Sequence, residues 1–147
     1  MGSGRGFSLL ELIVVLSLVS ILAGLGGLAH QTLRPRLNLS MAARELMMDL
    51  KLVRMRAVAE HVNYRIVFPD GSASYQPQRK VTGGYKNEGR PVSLPRGVLI
   101  ADCTARDGAI SFVPRGNAGS FGTVTIRNET GEERHVSVNI AGQMRAY

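Results

Sequence analysis

Hydrophobic and polar positions divide the chain into three stretches. From Leu12 to Ala29, 18 residues carry no charged side chain. At about 1.5 Å rise per residue a helix of that length covers about 27 Å, close to the hydrocarbon thickness of a bilayer. From Leu37 the pattern turns amphipathic: Leu39, Ala43, Leu46, Leu50, Val53 and Ala57 recur at steps of four and three, which predicts one apolar seam along a helix. Arg44, Glu45, Asp49, Lys51, Arg54, Arg56 and Glu60 occupy the polar face. Met41, Met47, Met48 and Met55 broaden the apolar surface and, at helical spacing, are assigned to the core.

Beyond residue 63 the pattern becomes strand-like. Tyr64–Phe68 alternates and meets the turn Pro69-Asp70-Gly71, with Ser72–Gln76 as the return strand. Pro77–Arg90 opens on a proline, holds Gly83, Gly84 and Gly89, and is read as a loop. Pro91–Leu94, Val98–Cys103, Ala109–Val113, Gly122–Arg127 and Arg134–Ala141 are the remaining strands, with a turn at Thr130-Gly131. Gly24, Gly26, Gly27 and Pro35 weaken the helix between its two halves. Either a bend or loosened turn is expected there, or a short break with a restart capped by Asn38 or Ser40. The fold class is α+β: a long N-terminal helix, with a membrane-spanning half and an amphipathic half, packed on a C-terminal antiparallel β-sheet domain.

At 147 residues, the chain suits one small domain plus a helical anchor. The formal charge of +7 makes anionic partners plausible. Cys103 is the one cysteine, so packing rather than an internal disulfide holds the fold. Its place in a strand-like run suits an inert, partly buried thiol, with pairing between chains as the alternative.

No catalytic constellation is present in the sequence. There is no Walker-type loop, no H-E-x-x-H and no paired-cysteine metal motif, and His30, His61 and His135 lie without ligand spacing. The chain is therefore expected to be neither an enzyme nor dependent on a cofactor. The one binding signal is basic: Arg79, Lys80, Lys86 and Arg90 surround Tyr85, with Arg115, Arg127, Arg145 and Tyr147 further on. Such a set could follow phosphates and offer a stacking surface, although a solvated loop face explains it more simply.

The start of the chain carries the most specific signal. Gly6 precedes Phe7, and Glu11 is the fifth residue from Phe7, at the head of the apolar run. A carboxylate there is costly, about 2.5–3.5 kcal/mol at a membrane centre, and marks a functional site by default. This segment resembles the prepilin processing signal of type IV pilins and type II secretion pseudopilins. An ordinary secretory signal peptide would instead use Arg5, an apolar core at Leu9–Leu22 and a cleavage site at Gly27-Leu28-Ala29. Glu11 interrupts that core, and the run is long for it. An uncleaved anchor is the remaining alternative.

The C-terminal half adds to the resemblance. Phe112-Val113-Pro114-Arg115-Gly116 precedes Thr123–Arg127, Gly131, Val136–Asn139 and Gly142-Gln143-Met144-Arg145. This order is similar to the GspH/FimT branch: a strand ending in F-x-P-x-G, a hairpin and a closing G-R-x-R-like segment. Gln143 stands where a basic residue is usual, leaving Arg145 alone of that pair.

The resemblance implies a pilin-like fold and a division into a leader at 1–6, a membrane and filament-core helix at 7–29, an amphipathic helix at 30–62 and a periplasmic β-rich domain at 63–147. It implies cleavage after Gly6 by a prepilin peptidase, N-methylation of Phe7, and pairing of Glu11 with a Phe7 amine, its own or a neighbour's. The implied function is that of a minor pseudopilin of a type II secretion system. Its partners would be other pseudopilins, the peptidase and an inner-membrane assembly platform, and it would sit as a single-pass inner-membrane protein with its domain in the periplasm. The alternative is a FimT/FimU-like minor pilin of a type IV pilus. There Arg79, Lys80, Lys86, Arg90 and Arg145 would contact DNA without sequence preference, a role that the Gln143 departure weakens.

Overall fold

The computed structural model describes residues 8–147, and the side chains of residues 24–33 lie outside the description. Helix α1 runs Leu9–Glu60 with Pro35 inside it. The chain divides into two compact units, Met1–Arg34 and Pro35–Tyr147. No restart follows Pro35, so neither Asn38 nor Ser40 is a cap. The Asn38 amide instead donates to the Arg96 carbonyl at 3.0 Å. The expected loosening between Gly24 and Pro35 falls mainly on residues whose side chains are outside the description.

In the second unit α1 ends at Glu60, and His61 takes φ 54°, the left-handed cap position that glycine usually fills. Ten strands follow: β1 Tyr64–Val67, β2 Ser74–Val81, β3 Gly84–Asn87, β4 Val92–Ser93, β5 Val98–Cys103, β6 Ala109–Phe112, β7 Ala118–Ser120, β8 Gly122–Asn128, β9 Glu133–Val138 and β10 Met144–Ala146. One sheet has the order β3-β2-β1-β6-β7, with β4 also on β2. The other has the order β10-β9-β8-β5. Every pairing is antiparallel.

The core is where the helical seam meets the inner positions of both sheets. Leu39, Ala43, Leu46, Leu50, Val53 and Ala57 are all buried, as the spacing predicts. They share one cluster with Tyr64, Ile66, Tyr75, Ile100, Ile110, Phe112, Val124, Ile126, Val136 and Val138. Two tyrosines tie helix to sheet: Tyr75 donates to Asp49 at 2.7 Å and Tyr64 to Glu60 at 2.8 Å. Asn128, 4% exposed, closes the β8–β9 turn. Its Oδ1 accepts from the backbone N–H of Thr130 (3.1 Å) and Glu132 (2.9 Å) and from the Thr130 hydroxyl (2.8 Å).

Three expectations change. Pro77–Arg90 is not a loop, because β2 runs through Pro77 to Val81 and β3 returns beside it. A proline removes one donor, and the flanking pairs Gln76↔Val67 and Gln78↔Arg65 hold the strand around it. Three of the four methionines are not core: Met41, Met48 and Met55 are 60%, 66% and 61% exposed, while Met47 is half-buried. The three exposed ones lie seven residues apart on the side of α1 opposite the seam, and only one side of a helix can face the sheets. Finally, β7 and β10, three residues each, had no periodic signature.

Candidate functional site

The N-terminal unit presents apolar side chains in every direction. Among its described residues the large hydrophobics from Leu9 to Leu22 are between 49% and 76% exposed. A helix apolar all round belongs inside something larger than itself. Two of its serines are satisfied locally: Ser17 Oγ donates to the Val14 carbonyl and Ser20 Oγ to the Leu16 carbonyl, both at 2.8 Å. Glu11 is exposed at the head of this helix and has no ion-pair partner among the described residues. Gly6 and Phe7 lie outside the described residues, as does the last third of the Leu12–Ala29 run at the level of side chains. Among the described residues, no helix is long and apolar enough to cross a membrane.

The basic candidates separate. Arg79, Lys80 and Lys86 share the β2–β3 hairpin, with Arg79 opposite Lys86 and Lys80 opposite Tyr85. Arg90 follows β3, and Arg145 lies in β10 of the other sheet. Arg79 faces Glu60 at 3.4 Å, which offsets its charge. The Arg65 guanidinium sits 3.9 Å from the centroid of the Tyr85 ring, so one face of that ring is already stacked. Arg65 also donates to Gln78 Oε1 at 2.7 Å, and Gln78 donates to Asn87 Oδ1 at 2.9 Å, a polar row across β1, β2 and β3. Reading Pro77–Arg90 as a loop concealed Arg65 as a member of this surface. The period-two pattern of β1 was the available signal.

The F-x-P-x-G and G-Q-M-R segments converge on α1. Phe112 is fully buried, and the turn after it closes with Gly116 N–H on the Val113 carbonyl at 2.8 Å. Arg54 Nε donates to the Gly116 carbonyl at 2.7 Å. Gly142, at φ +75°, packs so tightly that a Cβ there would lie 2.5 Å from the Gly116 carbonyl. Gln143 is engaged across the β9–β10 turn: its N–H donates to Asn139 Oδ1 at 2.9 Å, and Asn139 Nδ2 donates to its Oε1 at 3.0 Å. The residue in place of the usual basic one therefore closes a turn. Sequence order had shown these motifs but not that Arg54 joins them.

Beside that junction, a groove of about 590 Å³ runs between α1 and the β6–β7 turn. Met55, Val58 and Ala59 form its apolar floor, and Lys51, Arg54 and Arg115 stand around it. Cys103 is half-buried, and burial pushes its thiol pKa up, which keeps it protonated and unreactive at neutral pH. Among the described residues, no three His, Cys, Asp or Glu side chains gather as a metal site would require.

Comparison with known proteins places this geometry. The family profile for type II transport protein GspH matches residues 42–142, and the prokaryotic N-terminal methylation motif matches residues 1–27. The fold is similar to a solved structure of the minor pseudopilin EpsH from the type II secretion system of Vibrio cholerae. The TM-score is 0.63 at 13% identity, covering 75% of this chain and 96% of that one. A second EpsH structure from the same organism gives 0.62 at 13%, covering 74% and 92%. A search of curated proteins returns no match. The chain belongs to the GspH family of type II transport proteins, with the pilin-like α+β fold that its N-terminal helix and antiparallel sheets form.

Proposed function

We propose that this chain is a minor pseudopilin that waits in the inner membrane as a single-pass protein and is drawn into a periplasmic filament by an assembly platform. Membership of the family implies assembly with other pseudopilins. The observation that carries the finer reading is the helix of the first unit. Its described apolar residues point outward on all sides, an arrangement stable in lipid or in a bundle of like helices. The role is structural, and filament growth driven elsewhere would supply the work. Cleavage falls after Gly6, and the new Phe7 amine is methylated. Glu11 is four residues after Phe7 in the sequence, a separation of about one turn were both helical, so the two charges would neutralise each other within a chain or between neighbours, as charge in an apolar core requires.

Intact-mass measurement of the mature chain tests the processing: the expected species starts at Phe7 and carries one added methyl group. Glu11→Ala is expected to be processed normally but to lose filament incorporation and secretion at least tenfold. Normal assembly of that variant would remove the pairing role. The DNA-uptake reading rests on the β2–β3 hairpin, where Glu60 offsets Arg79 and Arg65 covers one face of Tyr85. It predicts retention of DNA at low salt that falls steeply as salt rises. The secretion reading predicts none.

A further inference from the structure

We infer that the groove between α1 and the β6–β7 turn is a docking site for a neighbouring filament subunit, and that it takes a segment in which carboxylates flank an exposed apolar side chain. The inference rests on the reading of the chain as a filament subunit and specifies one of its contacts. The floor is apolar and open: Met55 is 61% and Val58 43% exposed. The walls carry one sign of charge. Lys51, Arg54 and Arg115 line the groove, and no carboxylate does.

Two other concavities of this unit differ in that respect, whereas a smaller one lined by Ser40, Arg44 and Arg134 also lacks an acidic side chain. The one at Arg36 and Arg134 includes Glu132 and Glu133, and the one at Arg56 and Arg90 includes Asp49 and Glu88. Each of those is compensated from within. Four of the chain's eleven acidic side chains are committed away from the groove: Glu132 to Arg36, Glu88 to Arg56, Glu60 to Arg79 and Glu133 to Arg127. Among the described residues, no ion pair involves Lys51, Arg54 or Arg115. Arg54 satisfies one N–H on the Gly116 carbonyl, which fixes its guanidinium at the groove wall.

Charge complementarity then selects the occupant. A partner that covers Met55 and Val58 with apolar surface strips water from three cations. Uncompensated, that desolvation opposes binding; carboxylates at the rim of the incoming segment remove the cost and set the register. A purely apolar or basic segment is rejected by the same groove.

The test uses the full-length chain in cells carrying its own secretion system, with detergent co-isolation of the other pseudopilins and secretion as readouts. Lys51→Glu with Arg115→Glu reverses two exposed walls and leaves Arg54 on Gly116. Val58→Glu, separately, puts a carboxylate on the floor. Arg106→Glu, a single charge reversal just before β6, lies away from the groove. The expected result is at least a tenfold loss of co-isolation for the first two variants, with normal levels of processed chain, and none for Arg106→Glu. Restoration by a Glu→Lys or Asp→Lys change in one partner pseudopilin would identify the segment. Co-isolation within twofold of wild type in both groove variants overturns the inference, as does an equal loss in Arg106→Glu. Deleting the chain separates the two levels. Normal secretion without it sinks the filament reading, whereas lost secretion on deletion with unimpaired groove variants sinks only the docking site.

Discussion

Two parts of α1 solve opposite problems with similar residues. From Leu9 to Leu22 the described hydrophobics stay at least half in the open, or nearly so, at 49–76% exposure. From Leu39 to Ala57 the seam is buried to 5% or less. Both are mainly apolar, but the second carries six charged residues against one and confines its buried side chains to a seam. A stretch apolar on every side has no face to offer a sheet, and its burial must come from lipid or other subunits. A stretch with a 3.6-residue seam buries that seam within its own chain. The first half leaves its apolar surface uncovered by its own chain, while the second holds the domain together.

The sharpest way to break the comparison is one substitution made in both halves. Leu50→Ala, at a fully buried position, should cost about 2–5 kcal/mol of domain stability. Leu16→Ala should leave thermal unfolding of the domain in detergent unchanged, because Leu16 is 57% exposed. Equal shifts in the two would erase the distinction. Asn128→Ala removes the acceptor for two backbone N–H groups at the β8–β9 turn and should cost about 1–3 kcal/mol, read by chemical denaturation.

A smaller effect depends on pH. Burial first, then the hydrogen bond to Asp49, pushes the Tyr75 hydroxyl well above its usual range. Burial and Glu60 push Tyr64 up to about 12. Both raised values favour the protonated form in the folded state. Their contribution is intact below about pH 10, where an unfolded tyrosine titrates, and is lost as pH rises beyond it. Melting temperature should therefore fall above about pH 10, and fall less steeply in Tyr75→Phe. That variant should also cost about 1 kcal/mol at neutral pH. The smallest expected change is a gain: His61→Gly relieves a left-handed residue at the end of α1 and should add up to about 1 kcal/mol.

Much of this was legible from local pattern. The seam from Leu39 to Ala57 and the strand Val98–Cys103 lie where periodicity puts them. The misreadings share a cause. Pro77, Gly83 and Gly84 carry loop chemistry, yet cross-strand pairing to β1 and β3 keeps the segment extended. Met41, Met48 and Met55 carry core chemistry, yet the opposite side of α1 had already filled the sheets. The basic candidates looked like one loop plus a tail and proved to belong to two sheets.

By itself, then, the sequence determined what depends on neighbours along the chain: two helical halves of different period, the turns at Gly71 and Gly131, and the signal at Gly6, Phe7 and Glu11. Tertiary structure alone decided which side of α1 is core, that Gly116 and Gly142 meet on Arg54, and that Lys51, Arg54 and Arg115 ring one apolar floor. The physical reason is range. Periodicity and turn preference are set by steric contacts a few residues apart, whereas the β1–β6 pairing and helix docking join residues tens of positions apart, as Tyr64 and Phe112 are, and Arg54 and Gly116, 62 apart.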